Sequence, residues 1–201
     1  MLPVDQGLRL VPTGPGDSRD LHLGLGVVTH ASWMAEGDRL LVAAEEADGR
    51  LRLHVVDNAL QPAPSPPRPV SAPFSRDPLP SFGFRVSPDG RRAAITDREG
   101  RILVVPLDGS EPYPLPGAGI DETPVQWSPD GRSLYCYGPR SSPPGIYRID
   151  IASGDRALWR EIRSPSPASL GVFPLLSRNL KAGAYGSLDS SADLFLVTGL
   201  R

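Results

Sequence analysis

One short phrase constrains this chain more than anything else in it. Val86-Ser87-Pro88-Asp89-Gly90-Arg91 recurs as Trp127-Ser128-Pro129-Asp130-Gly131-Arg132, and short apolar runs flank both copies. Proline pre-sets φ at the first corner of a tight turn, aspartate bonds the nearby backbone, and glycine accepts the positive φ that closes the turn. Between apolar runs the phrase therefore specifies a hairpin joining two strands. Two diverged copies extend the series: Trp33-Met34-Ala35-Glu36-Gly37-Asp38 and Leu176-Ser177-Arg178-Asn179-Leu180-Lys181. The last has leucine in place of glycine and is expected to turn differently or more loosely.

The copies begin at 33, 86, 127 and 176, giving spacings of 53, 41 and 49 residues. A four-stranded propeller blade occupies about 40–45 residues. A second register follows each hairpin and reads as a third strand: Gly49-Arg50-Leu51-Arg52-Leu53, Gly100-Arg101-Ile102-Leu103-Val104 and Gly145-Ile146-Tyr147-Arg148-Ile149. Asp193-Leu194-Phe195-Leu196-Val197 continues it, and Gly7-Leu8-Arg9-Leu10-Val11 adds a copy at the start. A third register supplies outer strands at Arg19–Leu23, Arg68-Pro69-Val70, Tyr113-Pro114-Leu115 and Arg156–Trp159. Two of these carry proline at the same place, which suits a sheet edge, where a missing N–H removes no ladder bond.

The expected fold is all-β: a single, partial β-propeller of four-stranded antiparallel blades, with about four to four and a half present. Residues 6–25 form a half blade, 27–71, 80–116 and 122–162 full blades, and 168–198 a three-stranded last blade. The eight prolines from Pro62 to Pro80 read as a loop insertion around an outer strand, since the repeat resumes in phase beyond them. The 24 prolines and 21 glycines leave few windows long enough for a helix.

On its Ser-Pro-Asp-Gly-Arg copies the sequence resembles the TolB-type, WD-like β-propeller repeat proteins. The stretch from Val86 to Val197 looks in particular like the C-terminal propeller of bacterial serine/threonine protein kinases. The resemblance implies a sensory or protein-interaction module, with kinase chemistry in a domain this chain lacks, so no ATP-binding or kinase residue carries over. Related propellers usually close with six or more blades. The preferred expectation is therefore a C-terminal part of a longer array that starts at a third strand. In the alternative, Arg19–Leu23 completes the last blade and closes a small ring. Open ends would favour self-association through blade edges.

The remaining signals mostly exclude. A formal charge of −2 argues against a dedicated nucleic-acid binder. No apolar run approaches the ~18 residues of a membrane span, and no signal peptide is visible. The chain as written is expected in the cytoplasm, or on the envelope side as the tail of a membrane-anchored kinase. Lone Cys136 excludes an internal disulfide and reads as a buried thiol inside a strand. His22, His30 and His54 lack metal-ligand spacing, so neither a metal nor another cofactor is expected.

Ser87, Pro88, Asp89 and Gly90, with Ser128, Pro129, Asp130 and Gly131, read as structural turn formers. Trp33, Trp127 and Trp159 read as core, and Arg91, Arg92 and Arg98 as neutralised by Asp89, Asp97 and Glu99. No catalytic residue is expected. The channel-mouth candidates are His30, Asp121 and Glu122, the last two read chiefly as a solvated loop. A channel-mouth carboxylate hydrolase or lyase and a TolB-like envelope transport partner are the alternatives to a protein- or peptide-binding module.

Overall fold

The computed structural model describes residues 2–4, 7–35, 37–74, 83–97, 99–162 and 169–189. Among these residues there is no helix, and so none long and apolar enough to cross a membrane. The strands form five sheets in chain order, each built from antiparallel sequence neighbours. The first contains β1 (Leu2–Val4), β2 (Gly7–Leu10) and β3 (Arg19–His22). Three four-stranded sheets follow. One holds β4 (Val28–Trp33), β5 (Leu40–Glu45), β6 (Leu51–Val56) and β7 (Arg68–Pro69). The next holds β8 (Phe84–Val86), β9 (Arg92–Thr96), β10 (Ile102–Pro106) and β11 (Tyr113–Pro114). The third holds β12 (Thr123–Trp127), β13 (Ser133–Gly138), β14 (Gly145–Asp150) and β15 (Arg156–Glu161). The last described sheet pairs β16 (Ser169–Leu176) with β17 (Gly183–Asp189).

The apolar runs explain this stacking. Alternate side chains of a strand face opposite ways, so a strand apolar at every position needs cover on both faces. In β5, Leu40, Val42 and Ala44 pack toward the first sheet, while Leu41 and Ala43 pack toward β8–β10. In β13, Leu134 and Cys136 face β9–β10, and Tyr135 and Tyr137 face the last sheet. Four apolar clusters thus fill the four spaces between the five sheets. The outer-strand prolines act by truncation: β7 and β11, which carry Pro69 and Pro114, are two residues long, whereas proline-free β15 has six.

Several expectations need correcting. The first sheet does not begin at a third strand: Leu2–Val4 pairs with Gly7–Arg9, ahead of the half blade placed at 6–25. Repeat matching misses β1 because this three-residue strand carries no turn phrase. Nor does Arg19–His22 complete the last sheet; it hydrogen-bonds to β2 with Leu8 opposite Leu21. The leucine-bearing fourth turn is not looser. Leu180 takes φ 59°, beside 66° at Gly90 and 68° at Gly131. Its amide donates to the Ser177 carbonyl at 2.9 Å, as Gly131 does to Ser128. The proposed strand Asp193–Val197, together with Pro78, Pro80 and Arg98, lies outside the described residues.

Candidate functional site

The repeated turns are built by side chains as well as backbone. Ser128 Oγ donates to Asp130 Oδ1 at 2.6 Å, and that oxygen also accepts the Arg132 amide at 3.1 Å. Ser128 Oγ in turn accepts the Ser133 amide at 2.9 Å. Ser87 and Asp89 make the same set, with Ser87–Asp89 at 2.5 Å and the Arg91 and Arg92 amides at 3.0 and 2.9 Å. In the fourth copy Asn179 replaces the aspartate and the pattern persists, at 2.8, 3.1 and 3.0 Å. The first copy has Met34 where the others have serine, and buries it between β4–β6 and β8–β9 instead.

The third position of each copy, just past the end of an innermost strand, is Ala35, Pro88, Pro129 or Arg178. They converge on a pocket of about 220 Å³ at the turn end of the innermost strands. Its walls are Trp33 and Ala35, Val86, Ser87 and Pro88, Gln126, Trp127 and Pro129, and Arg178 from the fourth copy. Trp127, 1% exposed, is the fixed wall: its Nε1 donates to the Arg85 carbonyl at 2.8 Å. The Arg92 guanidinium lies 5.1 Å from its ring and donates to the Gly131 carbonyl at 2.9 Å. Arg85 Nε donates to the Val125 carbonyl at 2.8 Å, tying β8 to β12.

At the opposite end of the strands the Asp121-Glu122 pair divides. Asp121 is exposed, sits at φ 62° and pairs with Arg140. Glu122 is 2% exposed, which overturns its reading as part of a solvated loop. Its carboxylate accepts from Arg156 Nη2 at 2.5 Å, Ser141 Oγ at 3.1 Å and the Gly119 amide at 2.9 Å. Arg156, stacked 3.5 Å from the Tyr147 ring centre, arrives from the outermost strand, which no local pattern around Glu122 could signal. A buried carboxylate with these three donors fastens the 115–122 connection to β13–β15.

His30 stands apart from this group. It lies on β4, half-buried, with its Nδ1 lacking a hydrogen bond among the described residues. Burial, and then the Arg85 charge, lower its pKa, so it is neutral at pH 7. A Cβ at Gly83 would meet its ring, whereas Glu122 meets Gly119, Ser141 and Arg156; the three mouth candidates do not form one site. Burial, with the Glu122 charge adding to it, pushes the Cys136 thiol well above its ordinary range, as fits an inert core group. No cluster of three metal-ligating side chains occurs among the described residues.

No protein-family model matches the chain, and no curated protein matches it. Solved structures do. TolB from Acinetobacter baumannii superposes with a TM-score of 0.63 at 18% identity, over 93% of this chain and 44% of that one. Putative TolB from Agrobacterium tumefaciens gives 0.53 at 25% identity, over 72% of this chain and 50% of that one. The fold is a TolB-like β-propeller. Puromycin hydrolase matches with a TM-score of 0.50 at 25% identity, over 77% of this chain but 27% of that one. The chain spans half or less of each structure named here.

In this propeller the five sheets are blades, and the pocket lies on the side of the repeated turns. Asp121 and Glu122, expected at the mouth because loops gather there, lie at the opposite end of the strands from this pocket. Trp127 is core, as expected, and Trp33 packs against the neighbouring cluster; both also border the turn-side pocket. Arg178 was visible in the alignment of repeats as the one charged residue at a position otherwise held by Ala35, Pro88 and Pro129.

Proposed function

We propose that this propeller is a non-catalytic module that binds a protein or peptide at its turn-side mouth. The observation that carries the reading is convergence: the third position of all four repeat copies lines one pocket, together with Trp33, Val86 and Trp127. Aromatic and proline walls, held by bonds such as Trp127 to Arg85, are pre-organised, which reduces the entropy lost on binding. From the resemblance of the repeat stretch, we read the parent as a bacterial signalling protein such as a serine/threonine kinase, with a TolB-like transport partner as runner-up. The compartment follows the parent: cytoplasmic for a free-standing chain, envelope-side for the tail of a membrane-anchored kinase.

Peptides selected for binding from a random display library test the site. Ala35→Trp, which fills the pocket, is expected to weaken them more than about tenfold. Asp121→Ala at the far end should leave them unchanged. Binders indifferent to Ala35→Trp would overturn the assignment. The hydrolase alternative draws on the puromycin hydrolase match, but the Glu122 carboxylate it would use is engaged by Arg156, Ser141 and Gly119.

Self-association is a second reading, favoured by one face of the last sheet. Phe173, Leu175 and Leu188, with Ala184 and Gly186, point to that side, and the three large side chains are 37%, 60% and 54% exposed. Apolar patches of this kind favour a second copy. A single monomeric species in sedimentation at high protein concentration would count decisively against it.

A further inference from the structure

The fourth turn keeps the hydrogen bonds of the second and third and changes the charge they carry. The second and third copies read Pro-Asp-Gly-Arg after the serine, one acid beside one base. The fourth reads Arg178-Asn179-Leu180-Lys181, two bases and no acid. Asn179 Oδ1 takes over both contacts of the aspartate, from Ser177 Oγ and the Lys181 amide, without its negative charge. Resting on the reading above that the turn-side mouth is a binding site, we infer that its ligand is an acidic peptide segment. A carboxylate of that segment meets Arg178 and Lys181 while a neighbouring apolar side chain enters between Trp33, Pro88 and Pro129.

Three observations converge on this chemistry. Arg178 lines the pocket itself, at the repeat position that is apolar in the other copies. Neither the Arg178 nor the Lys181 side chain forms an ion pair with another described residue, so their charge is not consumed internally. Arg91 and Arg132 each sit beside an aspartate of their own turn, and Arg92 is already committed to Asp89 at 3.9 Å, the Gly131 carbonyl at 2.9 Å and the face of Trp127. The pocket is therefore lined by apolar side chains with uncharged Ser87 and Gln126 on the first three copies, and by the charged Arg178 on the fourth. An acidic partner gains from that asymmetry in both affinity and rate of encounter, and a basic one is repelled.

The test uses the whole chain, titrated calorimetrically at low salt with two end-capped peptides, one alternating glutamate with phenylalanine and leucine, the other lysine with the same apolar residues. The acidic peptide is expected to bind at least about tenfold more tightly. Arg178→Glu, an exposed change whose folding a thermal melt verifies, should erase or invert that ratio. Equal binding of both peptides, still lost in Ala35→Trp, would overturn the acidic preference and leave the mouth as a binding site. A ratio unchanged by Arg178→Glu would overturn the role of the fourth turn. Tighter binding of a single-stranded oligonucleotide than of the acidic peptide, lost in Arg178→Glu, would replace the peptide with nucleic acid. Binding of neither peptide, alongside library-selected binders blocked by Ala35→Trp, would also overturn this inference alone. Binders indifferent to Ala35→Trp would remove both.

Discussion

The third full blade and the last described sheet are copies of one unit, and they diverge in an instructive way. All six residues of β13 are buried, whereas the corresponding strand β17 is exposed from Gly183 through Leu188. Position for position, Leu134 is matched by Gly183, Tyr135 by Ala184 and Tyr137 by Gly186. Yet the hairpins that open the two strands share the same bonds, to within 0.2 Å for each side-chain contact. Turn geometry is therefore written locally, by serine and an aspartate or asparagine two residues on. Burial is written by the neighbour: β13 has a sheet on both faces, and no described sheet follows β17.

The largest consequence concerns packing. Trp127→Ala empties a fully buried site between the second and third blades and removes the Nε1 bond to Arg85. A loss of about 3–5 kcal/mol is expected, lowering Tm by roughly 10 °C in a chain of this size. Leu175→Ala, on the far face of the last sheet, should cost less than about 0.5 kcal/mol. Paired thermal melts measure both. A large loss at Leu175 would mean that the face is covered in solution, and would bring the two regions together through self-association.

The same contrast shows what a sequence can disclose. Strand order and the edge position of the proline-bearing strands follow from turn chemistry and two-residue alternation, which act over a few residues. Trp33, Trp127, Pro88 and Pro129 were all noticed, but their shared pocket depends on how successive blades turn about the channel, which repeat spacing does not specify. The burial of Glu122 is hidden from the sequence for a related reason: Arg156, 34 positions away, supplies its counter-charge. Leu180 keeps the turn because the Ser177 and Asn179 bonds hold it at positive φ, which the propensity of leucine alone does not disclose.

A second, smaller effect separates the third and fourth turns. At Gly131 (φ 68°) an added Cβ would meet only Arg92 Nη2 at 3.5 Å and Pro88 Cδ at 3.7 Å, both ordinary contacts. Gly131→Ala is therefore a conformational penalty with little steric part, about 1–2 kcal/mol. Leu180→Gly relieves a similar penalty but forfeits packing against the Tyr135–Ile146 cluster and frees the unfolded backbone. It should lie within about 0.5 kcal/mol of the parent. Urea unfolding of both variants decides; a clear gain for Leu180→Gly would mean that the leucine contributes little packing and that its turn is the more strained one.

The smallest effect is electrostatic, and it distinguishes turns that look alike. The Ser128 hydroxyl first, and then the Arg132 amide, hold the Asp130 carboxylate below its usual range. An aspartate in the unfolded chain titrates near pH 3.9. The folded value lies lower, so the contribution of Asp130 to stability is fully present above that pH and is lost as the pH falls through the folded value. Asn179 makes the equivalent bonds and has no proton to gain. In an amide NMR titration, the Arg132 resonance should therefore move with a midpoint below about 3.9, while the Lys181 resonance stays still. Asp130→Asn should make the third turn behave as the fourth does, silent to acid and little changed at neutral pH. A midpoint at or above the unfolded value for Asp130 would mean that the carboxylate is not what holds the third turn. The interchangeability of aspartate and asparagine would then be a coincidence of geometry and not its cause.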